Sequence, residues 1–229
     1  PGPILKMKKT MDGLASGERV EITATDPGFP RDAAAWCSST GNQLISKEAS
    51  GGKSVVIIEK GEPKACNIVT SCEGKGKTFI MFSDDLDKAL ATFVLANGAA
   101  ATGQKVTIFF TFWGLNVIKK LHKPETEKDI FGKMFGMMLP SSSKKLKLSK
   151  MSMGGIGGKM MRYIMNKKGI DSLESLRQQA LENGVEFIAC QMSMDVMGVK
   201  QEELLDEVTI GGVATYMERA DNANVNLFI

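Results

Sequence analysis

Cys190 is the residue whose type and position in this chain of 229 residues best fit a chemical role. It directly follows the apolar run 185–189, which predicts a buried strand, and a helix can begin at Gln191. Reactive groups gather at the carboxyl ends of strands in open parallel sheets. The N–H groups of a helix N-terminus favour a thiolate, which can attack a sulfane sulfur and hold it as a persulfide. The alternative is a buried and inert thiol, because free cysteine is among the most buried residue types.

Apolar side chains accompany the candidate cysteine in the sequence and allow two interpretations. Met192 and Met194 can fill the core, or they can form an adaptable surface that docks the thiol loop of a partner. Asp195 lies in the same segment and is a further supporting candidate. Trp113 follows the apolar run 105–112, so we expect it in the core, and from a strand end it could also reach the site.

The other cysteines and the single histidine give no metal or disulfide pattern. Four cysteines are too few and too scattered for a disulfide scaffold, so free thiols in a reducing cytosol are expected. Cys66 and Cys72 are the only close pair, and His122 is the only histidine, which disfavours structural zinc and histidine-dependent catalysis. Cys37 is predicted to be a packing residue on a helix. We therefore predict a cytoplasmic protein with no metal and no cofactor.

The composition disfavours several other classes of protein. Hydrophobic residues make up 43% and charged residues 24%, which is typical of a globular protein with a real core. The net charge of +3 is small for a nucleic-acid binder. No apolar run approaches the ~18 residues that cross a bilayer. The chain opens with Pro-Gly-Pro, without Met or a signal peptide, which indicates a processed or truncated end or a piece of a longer chain.

The first sixty residues predict a small α+β unit. The predicted elements are a helix from Pro3, a strand at 19–25, a helix at 31–38, and strands at 43–48 and 54–59. Asp26, in a turn with Pro27, can cap the second helix. Residues 61–76 carry Gly, Pro and Lys with little periodicity, and they are predicted to be a linker.

Residues 77–229 alternate strands with helices, which predicts a mostly parallel sheet with helices on both faces. One helix is predicted to begin at Asp171, with Glu174 in the capping-box position. An insertion at about 119–169, rich in Met, Lys and Gly, interrupts the alternation, and such insertions are functional or disordered. Its glycine run 154–158 lacks the ending of a phosphate loop and therefore predicts a hinge or mobile loop.

Residues 1–60 resemble the TusA/SirA sulfur-carrier family. That family carries Cys-Pro-x-Pro at a helix start, and Pro1-Gly2-Pro3-Ile4 matches all but the cysteine, which would precede Pro1. Asp26-Pro27, Arg31-Asp32 and Cys37 match the later part of the family pattern. The resemblance implies that the missing cysteine carries sulfur in the family, so this unit can be chemically silent in the chain as it stands.

Residues 77–229 resemble the larger, insertion-containing form of the DsrE/DsrF-like family. The resemblance rests on FSDDLDKALATFVLANGAAATG, VTIFFTFWGLN and FIACQMSMDVMGV, and it assigns the family's active cysteine to Cys190. It implies a doubly wound, flavodoxin-like sheet, assembly into trimers or hexamers, and transfer of sulfur between proteins. The fold class expected for the whole chain is therefore α/β, with a small two-layer α+β sandwich ahead of that sheet.

The pairing of the two units also resembles the C-terminal part of fusion proteins that begin with a flavin-dependent CoA-disulfide reductase and a rhodanese domain. The chain has no flavin- or NAD-binding fingerprint, so no redox cofactor is carried over. Rhodanese or other sulfur carriers are the donors and acceptors that the resemblance implies, and those reductase domains are further candidates.

Three hypotheses about function follow. The first is sulfur relay, in which Cys190 accepts sulfane sulfur and hands it to another thiol. The second is a thiol peroxidase or disulfide reductase that uses Cys190 with Cys66 or Cys72 as the resolving cysteine. The third is a non-catalytic module whose Met-rich insertion docks on a partner or a membrane surface.

Overall fold

Two units make up the chain in a computed structural model, which describes residues 7, 10–61, 76–101, 103–122, 134 and 136–229. Unit 1 comprises Pro1–Glu73 and Ile210–Asn222, and unit 2 comprises Gly74–Thr209 and Ala223–Ile229. The Pro-Gly-Pro start and most of the predicted linker, with Cys66 and Cys72, lie outside the described residues. The domain boundaries at 60 and 77 stay a prediction.

Unit 1 is a three-stranded antiparallel sheet with helical cover. Its elements are β1 (Arg19–Ala24), α1 (Phe29–Thr40), β2 (Gln43–Ser50) and β3 (Lys53–Glu59). The strand order is β1-β3-β2, and both pairings are antiparallel. Met7 and Met11, which lie in helical backbone, are buried with Phe29 of α1 and Ile58 of β3. The apolar face of each element therefore meets one shared core, as the sequence predicted.

Local chemistry sets the ends of these elements. Pro30 lies in the first turn of α1, where its missing N–H is not needed. Gly41 ends the helix in the left-handed conformation, with φ of 78°. The β2–β3 turn has positive φ at Gly51 and Gly52, which only glycine adopts at low cost.

Unit 2 is built on a five-stranded sheet. Its strands are β4 (Gly76–Met81), β5 (Val106–Phe110), β6 (Glu186–Cys190), β7 (Thr209–Gly211) and β8 (Ala223–Phe228). The order is β7-β6-β5-β4-β8, and β5–β6, β4–β5 and β4–β8 pair in parallel. Its helices are α2 (Leu86–Ala101), α3 (Ile156–Lys167), α4 (Leu173–Glu182) and α5 (Gln191–Met197), and α6 (Val213–Asp221) belongs to unit 1. The predicted α/β class with a mostly parallel sheet is confirmed.

The central strands of unit 2 are buried on both faces. All five residues of β5 are buried, as are the last four of β6. Phe187 of β6 packs on Phe93 of α2 and Phe110 of β5, with ring centroids 5.7 and 5.4 Å apart. Such burial is expected of parallel strands covered by helices, and it explains why the sequence reads as near-continuous apolar runs here.

Two predictions about element ends are wrong. β5 ends at Phe110, and Phe112–Ile118 forms a 3₁₀ helix. Trp113 on that helix is 43% exposed, so it is not a core residue. The helix expected to begin at Asp171 is instead capped by Ser172, whose Oγ accepts the backbone N–H of Ser175 at 3.1 Å.

Glu174 has a different role from the predicted capping box. Its carboxylate accepts hydrogen bonds from the Ser143 hydroxyl at 2.8 Å and from the Arg162 guanidinium at 3.2 Å. Burial opposes ionisation of Glu174, but these two partners hold its pKa below the usual value. The side chain therefore attaches the insertion to α4 instead of closing the helix end.

The glycine run of the insertion, where a hinge or mobile loop was predicted, is α-helical only from the start of α3 onward, because Gly154 and Gly155 have positive φ values of 66° and 97°. Gly157 and Gly158 lie buried in the first turn of α3. A Cβ at Gly157 would lie 2.1 Å from the carbonyl oxygen of Met151. Glycine is therefore required at this position, because only a residue without a Cβ lets the two backbone segments approach so closely.

Candidate functional site

The carboxyl ends of β4, β5 and β6 lie side by side at one edge of the unit 2 sheet, because the three strands are parallel. The backbone N–H of Thr111, just after β5, donates to the carbonyl of Met81 at the end of β4, at 3.1 Å. The N–H of Gly114 donates to the carbonyl of Phe82 at 2.9 Å. These bonds fix the 3₁₀ helix after β5 onto the end of β4.

Cys190 lies at this edge, as the sequence predicted for a strand end. It is the last residue of β6 and the N-cap residue of α5. The thiol makes no capping hydrogen bond to the helix, and the residue is only 5% exposed. The sulfur thus lies at the junction of strand and helix in a buried position, and its reactivity stays a prediction.

The helix after the cysteine has one buried and one exposed side. Met194 is 3% exposed and fills the core, whereas Met192 is 46% exposed. Asp195 is exposed and accepts a hydrogen bond from the Gln191 side-chain amide at 2.9 Å. The core interpretation therefore holds for Met194, and the docking interpretation of the exposed Met192 stays a prediction. In the part of the chain that the structure describes, the buried Oε1 of Gln191 has no hydrogen-bond partner.

One hydroxyl pair joins the end of β5 to α5, the helix that follows β6. The hydroxyls of Thr111 and Ser193 share a hydrogen bond of 2.8 Å, and both residues are buried. Sequence reasoning missed this pair, although Thr111 is a polar residue that follows a buried apolar run at a strand end. The bond holds α5, and with it the backbone of Cys190, against the neighbouring strand.

Replacing Thr111 with valine will lower the free energy of unfolding by about 1–3 kcal/mol, because it leaves the buried Ser193 hydroxyl without its partner. The double variant Thr111→Val/Ser193→Ala will lose less than the sum of the two single changes. Urea unfolding of all four proteins measures this coupling, and strict additivity would contradict it.

Aromatic rings fill the edge between β4 and β8. The ring of Phe82 lies 5.4 Å from that of Phe112 and 5.6 Å from that of Phe228. The strand order reverses direction between β4 and β8, and such a switch point commonly holds a ligand. Phe112 adopts a positive φ of 47°, which is unusual for a bulky residue. Three aromatic rings therefore line the edge beside β4, whereas the thiol of Cys190 lies on the β5–β6 side of the edge.

A partly buried polar pair, also missed from the sequence, lies after β4. The side-chain amide of Asn116 donates to a carboxylate oxygen of Asp84 at 3.0 Å, and Asn116 is fully buried. Burial raises the pKa of Asp84 above its usual range, and the nearby charge of Asp85 adds to this, while the Asn116 bond opposes it. The signal in the sequence was the acidic pair that follows the first apolar strand.

The supporting candidates of unit 1 have structural partners. The prediction that Asp26 caps the second helix is wrong, because Gly28 is the N-cap residue of α1 and no side chain caps that helix. A carboxylate oxygen of Asp26 instead accepts the backbone N–H of Gly28 at 2.8 Å, closing the turn in which Pro27 is exposed. Arg31 donates to the carbonyl of Ile210 at 3.0 Å. Asp32, which is buried, accepts hydrogen bonds from the backbone N–H of Gly212 at 2.9 Å and from the hydroxyl and N–H of Thr215.

Cys37 lies in the core of unit 1 and is 3% exposed. Burial raises the pKa of its thiol from 9.0 to about 11. Between pH 9.0 and about 11, the folded state therefore keeps the proton on the Cys37 thiol, whereas the unfolded chain releases it. This contribution to stability is complete below pH 9.0 and is lost as the pH rises toward about 11.

We expect the free energy of unfolding to fall more steeply between these two pH values in the parent protein than in a Cys37→Ala variant. Urea unfolding at both pH values measures the difference. Equal slopes in the two proteins would contradict the raised pKa, whatever the variant loses in overall stability.

The residues that the structure describes offer neither a metal site nor a membrane-spanning helix. No cluster of three or more His, Cys, Asp or Glu side chains there could hold a metal ion. No described helix is both long enough and apolar enough to cross a bilayer.

Family models match two parts of the chain. Residues 74–228 match the DsrE/DsrF/DrsH-like family, and residues 1–60 match the family described as Sulfurtransferase TusA. The first match includes Cys190 and the whole sheet edge described above.

Three relatives each match one of these two parts. The uncharacterized protein YrkE of Bacillus subtilis is 44% identical over 155 residues, which are 68% of this chain and 97% of YrkE. The sulfur carrier protein DsrE2 of Allochromatium vinosum is 37% identical over 161 residues, 69% of this chain and 99% of DsrE2. The sulfur carrier protein TusA of the same organism is 42% identical over 60 residues, 26% of this chain and 79% of TusA. The chain therefore belongs to the DsrE/DsrF/DrsH-like family and carries a TusA-family segment ahead of that domain.

Proposed function

We propose that this protein relays sulfur and that Cys190 carries it as a persulfide. The general part of the proposal, a role in sulfur relay, is supported by both family matches and by the relatives named as sulfur carriers. The specific part is supported by one observation above all, the position of Cys190 at the junction of β6 and α5.

In the loading step, the Cys190 thiolate attacks the outer sulfur of a donor persulfide. A sulfur–sulfur bond forms to Cys190, the sulfur–sulfur bond of the donor breaks, and the donor leaves as a thiolate. The transferred sulfur keeps its oxidation state, so the step needs no oxidant, metal or nucleotide.

In the unloading step, an acceptor thiolate attacks the outer sulfur of the Cys190 persulfide. Cys190 leaves as a thiolate, and the protein returns to its starting state. The exposed side chains of Met192 and Val196 on α5 offer an apolar surface for such an acceptor. Trp113, exposed on the neighbouring 3₁₀ helix, adds an aromatic contact at the same edge.

Partners for this cycle are proteins that hold sulfur on a thiol, such as rhodaneses or carriers with a Cys-Pro-x-Pro cysteine. The TusA-family segment of this chain resembles such a carrier in every motif position except the cysteine ahead of Pro1. We further propose a cytoplasmic location and assembly into trimers or hexamers.

Intact-mass spectrometry after incubation with inorganic polysulfide tests the proposal. We expect the full chain to gain the mass of one sulfur atom, removable by reductant and located on Cys190 by peptide mapping. A Cys190 that reacts with alkylating reagents but gains no sulfur would contradict persulfide relay. Peroxide consumption that requires Cys66 or Cys72 would then favour the thiol redox hypothesis.

A further inference from the structure

The positive charge of the chain is concentrated in one stretch. Residues 130–170 contain nine lysine and arginine residues and no aspartate or glutamate, although the whole chain has a net charge of only +3. The rest of the chain is therefore net negative. The described lysines of the stretch are all exposed, and they are Lys144, Lys145, Lys147, Lys150, Lys159, Lys167 and Lys168. Such segregation creates a local field that attracts anionic surfaces.

Helix α3, within this stretch, turns an apolar face outward. Ile156, Met160, Tyr163 and Ile164 follow the spacing of one helix face, and they are 64%, 47%, 68% and 38% exposed. The opposite face holds the helix in place, because Met165 is buried there. A helix of this kind normally buries its apolar stripe, so the outward stripe is unpartnered in the chain alone.

The inner face of α3 is also fixed by a polar contact. Arg162 donates to the carbonyl of Ser143 at 2.8 Å and to Glu174 at 3.2 Å. Turning the apolar stripe inward would break both bonds. These two hydrogen bonds therefore fix the apolar stripe of α3 in its outward orientation.

Two methionines immediately ahead of the helix are exposed as well. Met151 and Met153 are 68% and 67% exposed, and the carbonyl of Met151 lies against Gly157 in the first turn of α3. Met151 and Met153 have positive φ values of 57° and 43°, a conformation in which glycine or asparagine would be less strained. Strained backbone of this kind persists mostly where function requires it.

We propose that this cationic methionine surface, formed by the outward face of α3, Met151, Met153 and the exposed lysines, adsorbs to an anionic lipid bilayer. Protruding unbranched side chains can enter the interface between headgroups and acyl chains, while lysine stems extend alongside and keep their charges at the phosphates. A second copy of the chain fits less well, because two such surfaces would bring like charges together. The inference goes beyond sulfur relay and places that chemistry at a membrane surface.

Cosedimentation of the full chain with lipid vesicles tests this inference. We expect binding to phosphatidylcholine vesicles that contain about 30 mol% phosphatidylserine, and at least about tenfold weaker binding to pure phosphatidylcholine. Raising the salt from about 0.05 M to about 0.5 M will weaken the binding strongly, because salt screens the lysines.

Variants separate the apolar and the ionic contributions. Replacing Ile156 and Met160 with serine will weaken binding by at least about tenfold. The matched control replaces Val94 and Leu95 with serine, two residues of α2 that are 56% and 48% exposed, and it will bind like the parent protein.

A second variant tests charge without touching the helix face. Replacing Lys144, Lys145 and Lys147 with glutamate will abolish binding to anionic vesicles, whereas Lys47→Glu/Lys53→Glu, on exposed positions of unit 1, will weaken it far less. Sulfur loading of Cys190 without vesicles will be unchanged in all these variants, so failure of one proposal is distinguishable from failure of the other.

Four results would overturn the inference. The parent protein could fail to bind anionic vesicles at low salt, or the helix-face variant could bind as well as its control. In the third, vesicle binding is absent and the helix-face variant changes the sedimentation mass of the protein alone, which would make this surface an interface between copies. Binding of an acidic protein without any vesicle binding would likewise replace the bilayer as the occupant.

Discussion

Replacing Cys190 with serine will abolish sulfur loading of the protein by polysulfide. Serine has nearly the size of cysteine, so the fold will be kept at this site, which is 5% exposed. Its hydroxyl cannot form a persulfide, because that chemistry requires a thiolate. Intact-mass spectrometry of the variant will show no gain of sulfur under conditions in which the parent protein gains one atom.

The control is a variant with Cys66 and Cys72 replaced by serine, which keeps Cys190. We expect it to load as completely as the parent protein. Cys37 will not compete in either variant, because burial raises the pKa of its thiol to about 11 and keeps it protonated near neutral pH. Full loading of the Cys190→Ser variant, or loss of loading in the control, would move the chemistry to the Cys66 and Cys72 pair.

Replacing Gly114 with alanine will lower the free energy of unfolding by about 3 kcal/mol. A Cβ at this position would lie 1.9 Å from the carbonyl oxygen of Met81 and 2.7 Å from its carbonyl carbon. Both are backbone atoms of a buried strand, so the 3₁₀ helix must move instead. That movement will also break the bond from Gly114 to the carbonyl of Phe82.

Urea unfolding monitored by circular dichroism measures this effect. The matched control is Gly98→Ala within α2, where a Cβ meets no atom within 4 Å. Alanine there should be neutral or stabilise by about 0.5–1 kcal/mol, because it raises helix propensity. Similar stabilities of the Gly114 and Gly98 variants would mean that the contact between the strand ends is looser than the geometry indicates.

The sequence predicted the elements whose side chains meet a core. The apolar runs that became β5 and β6 are buried on both faces, so each run is nearly continuous and easy to recognise. α3 was missed for the opposite physical reason. Its apolar stripe faces solvent, and its first turn holds Gly157 and Gly158, which local propensity assigns to a loop.

The candidate site was predictable only in part. The position of Cys190 followed from the end of an apolar run, which is a local signal. Thr111 and Ser193 are 82 residues apart, and their contact arises from the parallel pairing of β5 and β6. Strand order is a long-range property that one sequence does not specify, so the polar neighbours of the cysteine could not be predicted.

The pairing of β4 with β8 has a consequence for how the second unit forms. The side chain of Thr78 on β4 bonds that of Asn226 on β8, 148 residues further along the chain. β4 leaves the ribosome long before its outer neighbour exists, so one of its edges stays open during synthesis. Closing so long a loop is entropically slow, and we infer that docking of β8 is a late folding event. Until then, the open edge is where this protein is most exposed to aggregation.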